Sequence, residues 1–115
     1  MPGVQTLMPV MLNHINDGKI SLNQLINFVC ENPVKIFGIK DKGFIKEGYD
    51  ADFTIVDMNK KIVIKNENIE SKCGWSPFNN FEFKGTPVST IINGKIKMQE
   101  GKILGEPEGL PLKFK

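Results

Sequence analysis

Apolar residues in the first third of the chain recur at helical spacing. They predict a helix from about Val4 to Asn16, and Asp17-Gly18 supplies a stop signal at its end. The apolar stripe of this helix consists of Leu7, Val10, Met11, His14 and Ile15.

A second helix is predicted to begin at Ser21, whose hydroxyl suits an N-cap position. It should stop before Pro33, because the residue preceding a proline is pushed out of the helical region. A short turn over Val34 to Phe37 should then close at Gly38. The inner face of this helix is predicted to carry Leu22, Leu25, Ile26 and Val29.

The remainder of the chain is rich in strand signals, and the change falls between Gly38 and Gly48. Short apolar runs bounded by polar or turn residues predict separate strands. These runs are Phe53–Val56, Ile62–Ile64, Phe81–Phe83 and Val88–Ile92.

Asn93-Gly94 predicts a tight hairpin between Val88–Ile92 and Lys95–Met98, since Asn-Gly between apolar runs is a strong hairpin signal. Glu100-Gly101 precedes one more short strand, Lys102–Leu104, and the tail beyond it is extended and turn-rich. The pattern as a whole is that of an α+β fold.

Composition excludes several classes of protein. The 115 residues carry 15 Lys+Arg and 13 Asp+Glu, a net charge of +2, with the lysines spread along the chain, which argues against a nucleic-acid module. No apolar run approaches the roughly 20 residues of a membrane span, and no signal peptide is recognisable. With only two cysteines, Cys30 and Cys73, the chain is expected to be cytoplasmic.

Candidate catalytic residues are few. His14 is the only histidine and falls on or beside the apolar stripe, so a packing role is favoured over a metal ligand or a base. Cys30 follows Val29 on the second helix and is favoured as a small apolar residue over a nucleophile. Cys73 sits in a loop and has no base tied to it.

Acidic and aromatic motifs have two interpretations each. Asp50-Ala51-Asp52 could bind a cation, but satisfying loop backbone amides is the favoured role of Asp52. Trp75-Ser76-Pro77-Phe78 is either a packing anchor, the favoured interpretation, or a partner contact. The glycines fit no phosphate-binding motif.

Six segments, taken in order, resemble the C-terminal portion of dihydroorotases and related cyclic amidohydrolases. The resemblance covers essentially the whole chain. The matching features are a P-G-[VL]-[EQ]-T stretch leading into an apolar helix, an N-P-A-K-I-F-G turn, a G-x-D-A-D-[LF] signature, S-P-[FY], G-x-P-V and I-x-x-G. They fall in Met1–Leu12, Ser21–Gly38, Lys42–Asp57, Cys73–Phe78, Gly85–Val88 and Ile92–Lys95.

This resemblance implies two parts of a larger fold. Residues 1–38 would be the terminal helices of a (β/α)8 metal-dependent hydrolase barrel, and residues 39–115 the C-terminal strands of its small composite β-sandwich. Met1 to Gly3 would sit at the edge of the last barrel loop, which contacts substrate. Asp50 and Asp52 would serve the fold at the start of a sandwich strand.

The resemblance also implies that the metal centre lies elsewhere. The family's zinc ligands, bridging lysine and catalytic aspartate all precede the matching region, so no catalytic, substrate-binding or metal residue is assigned to this chain, and no cofactor. The chain is expected to be inactive alone. Helices and strands without their partners would expose an apolar stripe and an open sheet edge, and the chain is expected to compensate by repacking, by self-association or by docking with a separately encoded N-terminal part.

The leading hypothesis is therefore a C-terminal portion of a dihydroorotase-like amidohydrolase, the parent reaction being reversible hydrolysis of dihydroorotate to carbamoyl aspartate in pyrimidine biosynthesis. Hydantoinases and allantoinases share much of this pattern, so the cyclic amide stays open. The alternative is a noncatalytic interaction or scaffold module derived from an amidohydrolase. An independent enzyme using Cys73 or Asp50 is disfavoured. Reading the gene upstream of Met1 for an H-x-H motif would separate an internal methionine from a true start.

Overall fold

The computed structural model describes residues 1–115 and confirms an α+β fold in which two helical segments precede a four-stranded sheet. The strand order is β1-β2-β3-β4, and β3 pairs antiparallel with both of its neighbours. The helical elements are α1 (Leu7–Asn16), α2 (Leu22–Ile26), a π-helical turn (Asn27–Glu31) and α3 (Asn32–Phe37). The strands are β1 (Phe53–Val63), β2 (Glu82–Ile92), β3 (Lys95–Gln99) and β4 (Lys102–Ile103), with a 3₁₀ turn at Asn66–Asn68.

The chain forms two compact units, each made of two separate stretches of sequence. Unit 1 comprises residues 1–20 and 56–87, and unit 2 comprises residues 21–55 and 88–115. The long strands β1 and β2 therefore each contribute residues to both units.

Unit 1 is built around α1, and its buried apolar side chains are Pro9, Leu12, Ile64 and Phe83. The helix begins at Leu7 rather than at the predicted Val4, and residues 4–6 form a turn that leads into it, with the Leu7 N–H donating to the carbonyl of Gly3 at 3.0 Å. Its end at Asn16 is as predicted.

An aromatic cluster completes the core of unit 1. The Phe78 ring lies edge-on to Phe81 and Phe83, with centroid distances of 5.9 and 5.7 Å. Ile64, just beyond β1, exchanges backbone hydrogen bonds with this segment: its N–H donates to Phe81 and its carbonyl accepts from Asn80. These bonds hold the loop between β1 and β2 over the core.

Unit 2 contains the second helical segment, and Ser21 is its N-cap, as predicted. The Ser21 hydroxyl accepts the Gln24 N–H, and the Gln24 side chain accepts the Ser21 N–H, forming a capping box. The prediction that the helix stops before Pro33 is wrong. Pro33 lies in the first turn of α3, directly after the π-helical turn, where a proline's missing N–H is best tolerated.

The apolar side chains of this segment are less buried than predicted. Leu25 is 2% exposed, but Leu22 is 50% and Ile26 is 38% exposed. The predicted turn at Val34–Phe37 is the body of α3, and it does close at Gly38, the C-cap.

The strands are longer than the sequence pattern indicates. The runs predicted as two strands near Phe53 and Ile62 form one continuous β1, and Phe83 and Val88 lie in one β2. The hairpin at Asn93-Gly94 is confirmed, with φ of 50° and 77° at its two central residues, the left-handed values that a type I′ turn requires.

Candidate functional site

Gln5 ties the N-terminal stretch to the loop after the 3₁₀ turn. Its side-chain Nε2 donates to the carbonyl of Asn68, and its Oε1 accepts the N–H of Glu70, both at 2.9 Å. A side-chain amide offers the same donor and acceptor pair as a peptide group. Gln5 therefore fixes residues 1–6 against this loop much as a neighbouring strand would.

Beside Gln5 lies a small depression at the N-terminal edge of unit 1. Its walls include Gly3, Thr6, Trp75 and Ser76, and it has room for only about one water molecule. Thr6 and Ser76 are buried, whereas Trp75 is 46% exposed. The depression is too small to hold a cyclic substrate by itself.

In unit 2, Asp50 and Asp52 converge on the Lys42 ammonium. Lys42 Nζ lies 3.0 Å from Asp50 Oδ2 and donates a hydrogen bond to Asp52 Oδ2. The other oxygen of Asp52 accepts the backbone N–H of Asn93 at 2.9 Å. This contact confirms that Asp52 satisfies a backbone amide.

The pKa of the Asp52 carboxyl reflects this environment. Burial alone raises the pKa, but the hydrogen bonds from Lys42 and from the Asn93 N–H outweigh it and hold the pKa below its ordinary value. The neighbouring Ala51 carbonyl accepts the N–H of Gly94 at 2.9 Å, so the D-A-D stretch is fastened to the hairpin turn. Asp52 is thus engaged in holding the fold, and Asp50 shares its ion-pair partner Lys42.

His14 lies half-buried on α1, as a packing histidine would. Its Nδ1 atom is buried and has no hydrogen-bond partner. It lies in unit 1, whereas Asp50 and Asp52 belong to unit 2.

The two cysteines are free thiols in different environments. Cys30 is half-buried, and burial, followed by the nearby negative charge of Glu31, raises the pKa of its thiol. Cys73 is exposed, and its Sγ lies 3.8 Å from the carbonyl oxygen of Trp75.

The packing role favoured for Trp75-Ser76-Pro77-Phe78 fits Phe78, which joins the aromatic cluster, whereas Trp75 stays half-exposed.

Nowhere does the chain gather three or more His, Cys, Asp or Glu side chains in an arrangement able to hold a metal ion. None of its helices combines the length and apolar character needed to span a bilayer.

Asn13 and Asn16 are structural residues that the sequence pattern did not single out. Asn16 Nδ2 donates to the carbonyls of Met58 in β1 and Lys84 in β2, each at 2.8 Å. Asn13 Oδ1 accepts the N–H of Lys84 at 2.9 Å. Two asparagines spaced i, i+3 along an otherwise apolar helix face are the signal that could have revealed this docking.

The chain is similar to a known protein family and to individual members of it. Residues 3–97 match the model of the amidohydrolase family. Over 109 residues the chain is 44% identical to the dihydroorotase of Pyrococcus furiosus, covering 95% of this chain and 26% of that protein. It is 36% identical over 106 residues to the L-hydantoinase of Paenarthrobacter aurescens, covering 23% of it.

Solved structures agree with these sequence matches. The L-hydantoinase (dihydropyrimidinase) from Arthrobacter aurescens superposes with a TM-score of 0.86 at 35% identity, over 90% of this chain and 24% of that one. The chain belongs to the amidohydrolase family, and it spans about a quarter of the length of the relatives it matches, consistent with a C-terminal portion.

Proposed function

We propose that this chain is the C-terminal portion of a dihydroorotase-like amidohydrolase, which hydrolyses the cyclic amide of dihydroorotate to carbamoyl aspartate in pyrimidine biosynthesis. In this proposal residues 1–38 complete a (β/α)8 barrel and residues 39–115 complete its β-sandwich. The chain alone is inactive, and it acts together with the N-terminal part of such an enzyme, onto which it docks. The observation that supports this proposal most strongly is the 44% identity to a dihydroorotase over 95% of the chain.

Exposed apolar side chains on the second helical segment support this docking. Phe28 is 52%, Ile36 is 73% and Phe37 is 66% exposed, and Leu25 is the one buried large apolar side chain of unit 2. Helices of a (β/α)8 barrel bury their apolar faces against the barrel strands. A partner that supplies such strands would cover these residues.

The open edge of β1 supports the same proposal. In the strand order β1-β2-β3-β4, one side of this 11-residue strand has no neighbour. Phe53 and Ile55 at its start are 38% and 49% exposed. A long edge strand with apolar residues is a template for pairing with a further strand.

The residues present do not fit a metal centre. His14 has no second imidazole to share a ligand set with, and the acidic pair is engaged by Lys42 and Asn93. Zinc in the complete enzyme would therefore take its ligands from outside this chain.

An activity assay tests the first part of the proposal. The purified chain, given dihydroorotate and Zn²⁺, should show no turnover above the rate without protein. Turnover by this chain alone would overturn the proposal, because it would require a catalytic site within these residues.

A complementation experiment tests the second part. We expect the chain to bind a Pyrococcus furiosus dihydroorotase shortened by the stretch that aligns with it, and to restore hydrolysis of dihydroorotate. Phe37→Asp should abolish the complex, whereas Ile45→Asp, which changes an 88% exposed apolar residue outside the helices, should not. The proposal would be contradicted if the chain stays monomeric in size exclusion, binds no hydrophobic dye and does not bind the shortened dihydroorotase.

Trp75 favours the alternative of a noncatalytic interaction module. Its indole is 46% exposed in a loop that Gln5 and the aromatic cluster hold in place. In that case Trp75→Ala would weaken binding of the chain to its partner, and neither the unmodified chain nor the variant would restore hydrolysis by the shortened dihydroorotase.

A further inference from the structure

The last residues of the chain, 104–115, form an extended segment, here named the C-terminal strap, that is anchored at two points. The first anchor is Lys97 in β3. Its ammonium donates to Glu108 Oε2 at 2.6 Å and to the carbonyl of Glu106 at 3.1 Å, and its backbone carbonyl accepts the N–H of Leu104 at 2.8 Å. Lys95 adds a contact to Glu108 at 3.2 Å.

The second anchor is a strand-like pairing with the residues that follow α3. The N–H of Lys40 donates to the carbonyl of Lys113, and the N–H of Lys115 donates to the carbonyl of Gly38, both at 2.8 Å. These bonds flank an antiparallel bridge between Ile39 and Phe114. The segment Gly38–Lys40 is thus a short strand edge that the strap fills.

Little else holds the strap in place. Every residue from Gln99 to Lys115 is exposed, and Leu110 between the anchors is 74% exposed. Lys95 and Glu108 side chains are 65% and 46% exposed, so this ion pair is screened by solvent and salt. Segments with few buried contacts open with a free energy far below that of global unfolding.

We propose that Gly38–Lys40 is a strand-addition site that the strap occupies within its own chain and can vacate. The site takes an extended peptide in which apolar residues and lysines alternate, as Leu112, Lys113, Phe114 and Lys115 do. Main-chain hydrogen bonds supply the binding and the alternating side chains supply the selectivity, as in other cases of strand addition.

The test removes the strap and returns it as a separate molecule. A chain ending at Gly105 should exchange the amide hydrogen of Lys40 at least about tenfold faster than the full chain, because its acceptor is gone. A synthetic peptide of residues 106–115 should slow that exchange again in a saturable manner. The same peptide with Lys115→Pro, which lacks the N–H that pairs with Gly38, should bind much more weakly.

Three results of this experiment would each overturn the proposal. The first is a Lys40 amide that exchanges equally slowly with and without the strap. The second is a peptide that leaves the exchange rate unchanged at all concentrations. The third is a Lys115→Pro peptide that slows the exchange as well as the unmodified one.

A second variant tests the proposal in the full-length chain. In a Cys30→Ser, Cys73→Ser background, Ile39→Cys with Phe114→Cys should form a disulfide within one chain, because facing residues of such a bridge have Cα atoms about 4.5 Å apart. This disulfide should block binding of the peptide, and reduction should restore it. A disulfide formed only between two chains would show that the strap belongs to a second copy and would contradict the occupancy we propose.

Discussion

Gly85 in β2 lies directly against Leu12 in α1. A Cβ atom placed on Gly85 would stand 2.8 Å from the Leu12 Cβ, a separation that real Cβ atoms essentially never show. Leu12 is fully buried, so its side chain has no open space to move into, and Gly85 has φ of 103°, a backbone conformation that residues with a side chain rarely adopt. The absence of a side chain at position 85 is therefore what allows α1 to approach the strand backbone.

Gly85→Ala should lower the free energy of unfolding by about 2 to 5 kcal/mol, since it combines backbone strain with overpacking. Urea denaturation followed by circular dichroism would measure this. Gly74→Ala is the matched control in the same unit, because Gly74 also has a positive φ, 67°, but nothing lies within 4 Å of the position its methyl group would take. It should cost only about 1 to 2 kcal/mol, and equal losses at both positions would refute the close approach.

Asn16 provides the second attachment of α1, through its two hydrogen bonds to Met58 and Lys84. Asn16→Ala should lower the free energy of unfolding by about 1 to 2 kcal/mol, the net worth of two such bonds. Asn16→Asp should lower it further, because a carboxylate would face two carbonyl oxygens. Asn23→Ala, on α2, serves as the control and should be near neutral; a comparable loss there would argue for a general effect of removing helical asparagines.

Acid should destabilise the chain through Asp52 and Glu108. The hydrogen bonds from Lys97 and then Lys95 hold the pKa of Glu108 below its ordinary value, and Lys42 and Asn93 do the same for Asp52, although partial desolvation raises its pKa. A depressed folded-state pKa stabilises the fold above the unfolded value and loses this stabilisation as the pH falls through the folded value. The urea midpoint should thus hold from pH 7 to 5 and fall below about pH 4.

Asp52→Asn and Glu108→Gln together should flatten this dependence. Each variant keeps an oxygen that can accept a hydrogen bond, but neither can be protonated over this range. Midpoints measured at pH 5, 4 and 3 would compare the variant with the unmodified chain. An unchanged acid slope in the double variant would assign the loss to other carboxyl groups.

Local signals predicted local structure well. The Ser21 cap, the Asn93-Gly94 hairpin and the backbone contact of Asp52 each depend on residues that carry their own stereochemical preference. The resemblance to the family also predicted that the D-A-D stretch lies at the start of a strand, and β1 does begin directly after it, at Phe53.

The errors arose where distant or compensating interactions decide the outcome. The polar residues from Asp57 to Lys61 suggested a break, yet they lie in β1, an edge strand that tolerates exposed polar side chains. Asp57 Oδ1 even accepts the N–H groups of Asn59 and Lys60. The contacts of Gln5 and Asn16 join residues at least 42 positions apart, which no local pattern encodes.

The two thiols should differ in reactivity. Burial and the charge of Glu31 raise the pKa of Cys30, so little of its reactive thiolate is present near pH 8, whereas Cys73 is exposed. Reaction with a disulfide reagent such as DTNB should therefore show two phases of equal amplitude that differ at least about tenfold in rate. Cys73→Ser should leave only the slow phase and Cys30→Ser only the fast one, and both thiols should react fast in concentrated urea. If the unmodified chain shows a single rate, the environment described for Cys30 is wrong.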